Sequence, residues 1–120
     1  MGKLRVGLVG MGRGAVYVSR FQNHARTEVA AICDVNPMIL EERRAAYDLR
    51  SSQAFRDYDD FVRADIDVVF IASPEPSHAE HAVKALEAGK HVLSEVRKSF
   101  KCNSGHVSRI IWYGRLDAIP

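Results

Sequence analysis

The chain has 120 residues, with 17 Lys and Arg against 15 Asp and Glu, so its formal net charge of +2 gives no indication of a nucleic-acid partner. This length suits one domain with a single core. No segment is apolar enough over the required length to span a membrane, and no signal peptide fits the N-terminus. The two cysteines, Cys33 and Cys102, have neither metal-binding spacing nor a disulfide framework, which predicts a reducing, cytoplasmic compartment.

The first predicted element is a buried strand, Leu4 to Val9, which runs into a glycine-rich turn. The residues of this turn are Gly10, Met11, Gly12, Arg13, Gly14 and Ala15. In a dinucleotide-binding fingerprint the first glycine allows a tight turn, the second lets the backbone approach a pyrophosphate, and the third position is small so that the next helix packs closely. The helix that opens here directs its free amide groups at the phosphates. The turn therefore predicts a phosphate-binding site.

An acidic residue follows the second predicted strand. A short helix is expected after the glycine turn, and its apolar residues are Val16, Tyr17, Val18 and Phe21. The second strand, Glu28 to Cys33, ends at Asp34. An acid at this position accepts hydrogen bonds from the adenosine ribose hydroxyls, and its charge repels the 2′-phosphate of NADP. The pattern predicts dinucleotide binding, with NAD preferred over NADP. The alternative is that Asp34 only caps the next helix of a parallel-sheet domain that binds no nucleotide.

The rest of the chain continues the alternation of helix and strand. Asn36 as N-cap and Pro37 in the first turn predict the start of a helix that Met38 to Tyr47 continue. The further expected strands are Gln53 to Phe55, Asp67 to Ala72 and Lys90 to Ser94. A helix from Asp57 to Ala64 is expected to bury Phe61 and Val62. A second helix, from Ser77 to Ala88, has apolar positions at Ala82, Val83 and Leu86 and is closed by Gly89.

This order of elements predicts an α/β fold with right-handed crossovers and a doubly wound parallel sheet. Ligands of such sheets bind at the carboxyl ends of the strands. Gly10, Asp34, Ser73 and Glu95 lie at strand ends of this kind. We therefore expect these four residues to share one edge of the sheet.

Several motifs resemble the N-terminal, Rossmann-type NAD(P)-binding domain of the glucose-fructose oxidoreductase, inositol dehydrogenase and rhizopine-catabolism (Gfo/Idh/MocA) oxidoreductases. These motifs are the glycine turn, Asp34 with Pro37, Ser73-Pro74 followed by His78, and the segment from Ala85 to Glu95. The resemblance covers Leu4 to about Glu95 and is most specific from Ser73 onward. It implies hydride transfer between a nicotinamide cofactor and a hydroxyl carbon of a sugar or polyol.

The resemblance also implies a set of cofactor-binding residues, in which the Ser-Pro turn and the final Glu line the nicotinamide side. That set is Gly10, Met11, Gly12, Arg13, Gly14, Ala15, Asp34, Ser73, Pro74, His78 and Glu95. Two departures from the family pattern matter: Val96 stands where the family has a lysine that approaches the reacting hydroxyl, and Glu75 stands where it has Asn. These 120 residues do not include the substrate-binding domain of the family, so the catalytic residues stay unknown. The alternative function is a non-catalytic dinucleotide-binding or redox-sensing module.

The expected organisation is a dinucleotide-binding domain at residues 1–95 and a divergent basic tail at residues 96–120, which holds five Lys and Arg against one acid. Three interpretations of the tail are open: an extra strand or helix that covers the sheet edge, a disordered basic tail, or the product of a truncated or frame-shifted reading frame, which is favoured. If exposed, the cluster from Ile110 to Tyr113 would promote self-association, so a homo-oligomer is a further expectation.

The remaining chemical candidates have ordinary interpretations. His78 and His81, with Glu80 between them, resemble a metal-binding pair, but no third ligand is placed, so His78 near the cofactor and an exposed His81 are favoured and no metal is expected. Cys33 is expected to be an inert core residue, and Ser73 a turn hydroxyl rather than a nucleophile.

Overall fold

The computed structural model describes residues 3–73, 75–99 and 106–113, and it describes side chains for residues 3–12, 15–73, 77 and 79–94. Its strands and α-helices in chain order are β1 (Leu4–Val9), α1 (Met11–Asn23), β2 (Thr27–Cys33), α2 (Pro37–Ala46), β3 (Ala54–Phe55), α3 (Tyr58–Val62), β4 (Val68–Ile71), α4 (Glu75–Glu87), β5 (His91–Ser99) and β6 (His106–Tyr113).

The strands form one sheet in the order β3-β2-β1-β4-β5-β6. The first five are parallel, which confirms the predicted doubly wound α/β fold, whereas β6 pairs antiparallel with β5. In the parallel register Val9 lies beside Cys33 on one side and Ile71 on the other. The residues that follow these three strand ends therefore meet at one edge of the sheet.

Two hydrophobic layers cover the two faces of the sheet. On one face α1 and α2 pack through side chains such as Val18 and Leu40, and the Phe70 ring lies 4.6 Å from that of Tyr17. On the other face α3 contributes Phe61 and Val62, as predicted, and α4 contributes Ala85. Central strands buried on both faces explain the nearly continuous apolar runs in the sequence.

The sequence predicts that helix α1 follows the glycine turn, which ends at Ala15. The helix begins within the turn, at Met11, so that Gly12 and Gly14 lie within the helix. The turn from strand to helix is completed at Gly10 alone, whose φ of 91° is left-handed. The predicted short helix is thus a helix of 13 residues.

Two helix ends follow the predicted chemistry, and one helix face does not. The Asn36 side chain accepts hydrogen bonds from the amides of Met38 and Ile39, at 3.0 and 3.3 Å. Gly89 has a φ of 81° and ends α4 in a Schellman motif, because the Lys90 amide donates to the Ala85 carbonyl. The prediction that Val83 lies on the apolar face of α4 is wrong, since it is 53% exposed.

The predicted strand at residues 90–94 extends to Ser99, so the expected boundary at residue 95 falls within β5. Residues 106–113 of the tail form β6, which runs beside β5 from the Ser99–His106 pair to the Val92–Tyr113 pair. These residues therefore form an added edge strand. Cys102 and Asp117 lie outside the described residues.

Within the described ranges, no helix combines the length and apolar character that crossing a lipid bilayer requires.

Candidate functional site

Gly10 joins the ends of three strands. Its amide donates to the Cys33 carbonyl at 3.0 Å, and a Cβ atom here would lie 2.6 Å from the Ala72 carbonyl carbon and the Ser73 nitrogen. The left-handed φ independently favours glycine. Only glycine therefore allows β1 to turn into α1 while the backbone after β4 packs directly against the turn.

Gly12 differs from Gly10, because no described residue outside its own helix restricts it. Apart from its chain neighbours and the backbone of α1, no described heavy atom would lie within 4 Å of a Cβ atom at Gly12, and the residue is exposed. Glycine is an unfavourable helix residue, so its presence in the first turn of α1 has no explanation in packing. The bare backbone does leave room for a ligand to approach the helix N-terminus, where amide groups favour an anion. The open space beside Gly12 thus fits the pyrophosphate of a dinucleotide.

Asp34 follows β2 and lies beside this turn. Its Oδ2 accepts a hydrogen bond from the Met11 amide at 2.9 Å, and its Oδ1 accepts one from the Asn36 amide at 2.8 Å. The α2 helix is capped by Asn36, so the alternative in which Asp34 only caps the next helix is wrong. A carboxylate offers about four acceptor positions. The two described bonds hold Asp34 in place and leave acceptor capacity for hydroxyl donors.

A cavity of about 170 Å³ opens between the ends of β1, β2 and β4, and we refer to it as the strand-end cavity. Its lining residues are Val9, Gly10, Cys33, Asp34, Val35, Tyr58, Ser73, Ser77 and His81. The cavity thus combines apolar walls with a few polar groups, as small-molecule sites do.

Tyr58 and His81 form one wall of this cavity. Their rings are stacked with centroids 4.0 Å apart, and the Tyr58 hydroxyl donates to the His81 carbonyl at 2.6 Å. His81 Nδ1 lies 2.9 Å from the Ser73 hydroxyl oxygen. Burial raises the pKa of Tyr58, so its hydroxyl remains a neutral donor. The prediction of an exposed His81 is wrong: its ring is half-buried because Tyr58 covers it.

Tyr58 is a cavity residue that the sequence patterns do not single out, although a signal exists. It comes three residues after the end of β3, whose carboxyl end lies at the same edge as those of β2 and β1. The rule that ligands bind at carboxyl ends of parallel strands therefore applies to the start of α3 as well. No comparable signal marks His81, which reaches the cavity from within α4.

The other predicted site residues fall into two groups. Met11 and Ser73 are buried, as is the small Ala15, whose carbonyl accepts a hydrogen bond from the Tyr47 hydroxyl at 2.8 Å. The backbones of four others lie in α1, α4 and β5, but their side chains, like all of Pro74, are outside the described set: Arg13, Gly14, His78 and Glu95. The structure therefore brings together Gly10, Met11, Gly12, Asp34 and Ser73.

The described side chains include no group of three His, Cys, Asp or Glu residues that could hold a metal ion.

Cys33 lies at the floor of the strand-end cavity with only 2% of its surface exposed. Burial, with smaller contributions from the Asp34 and Asp57 carboxylates, raises the pKa of its thiol from 9.0 to about 12. Because the thiolate is the reactive form, this environment agrees with the predicted inert core cysteine.

We expect Cys33 to resist thiol reagents in the folded protein. In a Cys102→Ser variant at pH 8, Ellman's reagent should give no rapid release of thionitrobenzoate, and adding guanidinium chloride should then release a stoichiometric amount. Complete reaction of the native variant within minutes would contradict the assignment.

The parallel sheet, the glycine turn and the acid after β2 define a Rossmann-type nucleotide-binding domain. The chain belongs to the Gfo/Idh/MocA oxidoreductase family, since the model of its NAD-binding Rossmann fold matches residues 4–96. This finding confirms the resemblance predicted from the sequence.

Individual relatives agree with this assignment. A glycosyl hydrolase family 109 protein of Shewanella pealeana is 36% identical over 107 residues, which are 80% of this chain and 23% of the relative. Scyllo-inositol dehydrogenase of Lactobacillus casei, solved with NAD(H) and scyllo-inositol, is 34% identical with a TM-score of 0.67, covering 77% of this chain and 27% of that structure. The WlbA dehydrogenase of Bordetella pertussis, solved with NADH and UDP-GlcNAcA, is 34% identical with a TM-score of 0.69, covering 77% and 29%. The chain thus spans about a quarter of its relatives' length.

Proposed function

We propose that the edge formed by Gly10, Gly12 and Asp34 binds NAD, as the cofactor domain of an oxidoreductase. The observation that carries the proposal is the unrestricted glycine at position 12, next to an acid that is already held in place by the Met11 amide. The first turn of α1 supplies backbone donors for the pyrophosphate, and Asp34 accepts hydrogen bonds from ribose hydroxyls.

The strand-end cavity is the proposed binding site of the adenosine half of the cofactor. It begins at Asp34, and Val35 at its mouth is 83% exposed, which leaves an apolar side chain free to cover a planar base. The stacked Tyr58 and His81 close the opposite side. An apolar pocket with a carboxylate at its rim is suited to a base joined to a ribose.

The full predicted set, including Arg13, Gly14, Ala15, Pro74, His78 and Glu95, is part of this proposal. The Ser73–Pro74 turn and Glu95 are proposed to line the nicotinamide side. When bound, the nicotinamide ring supplies hydride transfer. The residues of this chain bind and orient the cofactor.

For the whole protein, we propose hydride transfer to or from a hydroxyl carbon of a sugar or polyol. This proposal draws on the scyllo-inositol and the UDP-GlcNAcA with which the two similar dehydrogenases were solved. A second domain would supply the substrate contacts. The two-cysteine composition supports a reducing, cytoplasmic location.

Glycoside hydrolysis is a second candidate for the whole protein, because the Shewanella pealeana relative at 36% identity is named as a glycosyl hydrolase. NAD-dependent glycoside hydrolysis is known, so a cofactor domain is compatible with both reactions. Incubating the whole protein, including the second domain, with NAD and either polyols or aryl glycosides separates the two: NADH accumulates in the first reaction, whereas the aryl alcohol is released in the second.

Calorimetric titration with NAD tests the binding proposal directly. A saturable heat of binding with a stoichiometry near one is expected, and no heat at millimolar NAD would overturn it.

Removing the charge of Asp34 should weaken the preference for NAD. Asp34→Asn keeps the shape and one acceptor oxygen, but it loses a charge-assisted hydrogen bond worth about 1.5 to 3 kcal/mol and the repulsion of a 2′-phosphate. The ratio of the NADP and NAD dissociation constants should therefore fall by at least about tenfold.

The matched control is Glu87→Gln, an equivalent change at the exposed C-terminal end of α4, which should leave the ratio unchanged. A wild-type protein that binds both cofactors equally would count against the role of Asp34.

A further inference from the structure

Arg43 is placed next to the glycine turn although it lies far from it in the sequence. It belongs to the last turn of α2, and its Nε donates to the Met11 carbonyl at 3.4 Å. Asp34 accepts a hydrogen bond from the amide of the same Met11. The amide of Met11, in the first turn of α1, therefore binds the Asp34 carboxylate, and the carbonyl of Met11 binds the Arg43 guanidinium.

The contacts of Arg43 leave much of its hydrogen-bonding capacity unused. Its bond to Met11 is longer than the 2.7–2.9 Å typical of charged donors. Its ion pair with Glu42, at 3.4 Å, joins side chains that are 31% and 69% exposed, and pairs of this kind contribute little. Within the described part of the chain, these contacts use Nε and Nη1. The Nη2 group is thus available to a ligand.

A purely structural role does not require arginine at this position. One turn further along α2, the Tyr47 hydroxyl donates to the Ala15 carbonyl at 2.8 Å, a shorter bond between the same two helices. A neutral donor therefore holds α1 against α2 more closely than Arg43 does. The additional fixed positive charge of Arg43 is suited to a phosphate, to whose oxygen atoms the Nη2 group can donate.

We propose that Arg43 is a specificity-determining residue that receives the 2′-phosphate of NADP. This inference rests on the proposed dinucleotide site. Asp34 favours a free ribose hydroxyl, whereas Arg43, which is bound to the carbonyl of the residue whose amide binds Asp34, attracts a phosphate, so the two charges oppose each other. The domain accepts NADP as well as NAD, with a smaller preference for NAD than Asp34 alone would produce.

Calorimetric titration of Arg43→Gln with NAD and NADP tests the inference. The dissociation constant for NADP should rise by about tenfold at low salt, and the one for NAD by less than about twofold. The difference should shrink as salt is raised, since an exposed charge pair is screened. Arg43→Lys, which keeps the charge, should retain part of the NADP affinity.

Two control variants separate recognition from general effects. Arg26→Gln removes a positive charge at the opposite end of β2 and should leave both affinities unchanged. Tyr47→Phe removes the neutral bond between α1 and α2, so any effect should be equal for the two cofactors. The inference is overturned if Arg43→Gln leaves the ratio of the NADP and NAD dissociation constants unchanged, which includes an equal loss of affinity for both cofactors, as expected for Tyr47→Phe. It is also overturned if wild type binds NAD but not NADP. Wild type that binds neither cofactor overturns the proposed function, and with it this inference.

Discussion

Gly10→Ala is expected to lower the free energy of unfolding by about 3 kcal/mol or more, and so to lower the melting temperature by about 10 °C or more. Two costs combine. A left-handed φ is strained for alanine, and the new methyl group would lie 2.6 Å from the backbone of Ala72 and Ser73, which is held in place by the sheet. Thermal unfolding followed by circular dichroism measures the change.

Gly12→Ala is the matched control for this variant. It makes the same chemical change two residues away, where the methyl group meets open space, and alanine favours a helix by about 1 kcal/mol over glycine. Its melting temperature should equal or exceed that of wild type. If the melting temperature of Gly10→Ala equals that of wild type, the turn does not require a left-handed glycine.

Gly12→Val is expected to weaken NAD binding by at least about 100-fold, a loss of about 2.7 kcal/mol or more, while the fold is retained. The valine side chain would occupy the space through which the cofactor phosphates reach the α1 amides. A Cβ atom at this position has open space among the described residues, so the melting temperature should stay close to that of wild type. Calorimetric titration with NAD measures the loss.

A graded series strengthens this test. Gly12→Ala adds one methyl group and should give a smaller loss of affinity than Gly12→Val, because the effect depends on the volume that the new side chain occupies at the N-terminus of α1. Wild-type affinity in the valine variant would remove the first turn of α1 from the proposed site and leave only the strand-end cavity.

Local sequence patterns determined most of the fold because they report on single elements. The run from Leu4 to Val9 predicts β1 to the residue, and Asn36 and Gly89 mark helix ends through bonds that span only a few residues. Sequence patterns predict side-chain burial less well where several neighbouring apolar residues of a helix could face the sheet. Among the described side chains of α4, the buried one is Ala85, which is small enough to lie against the sheet, and not the larger Val83.

The sequence by itself also determined the family and the glycine turn between β1 and α1, because their signals are contiguous: a strand, closely spaced glycines, and an acid at the end of the next strand. Only the tertiary structure decided which distant side chains join them. The stack of Tyr58 on His81, the contact of Arg43 with Met11, and the pairing of β6 with β5 each depend on how separate elements pack. Gly7 is a further case, since a Cβ there would lie 2.8 Å from Phe61 of α3 and from Ile66 in the connection to β4, and this restriction exists only once these residues pack on β1. Such contacts join residues far apart in the chain, and they depend on the assembled sheet and its two helical layers, which no local pattern specifies.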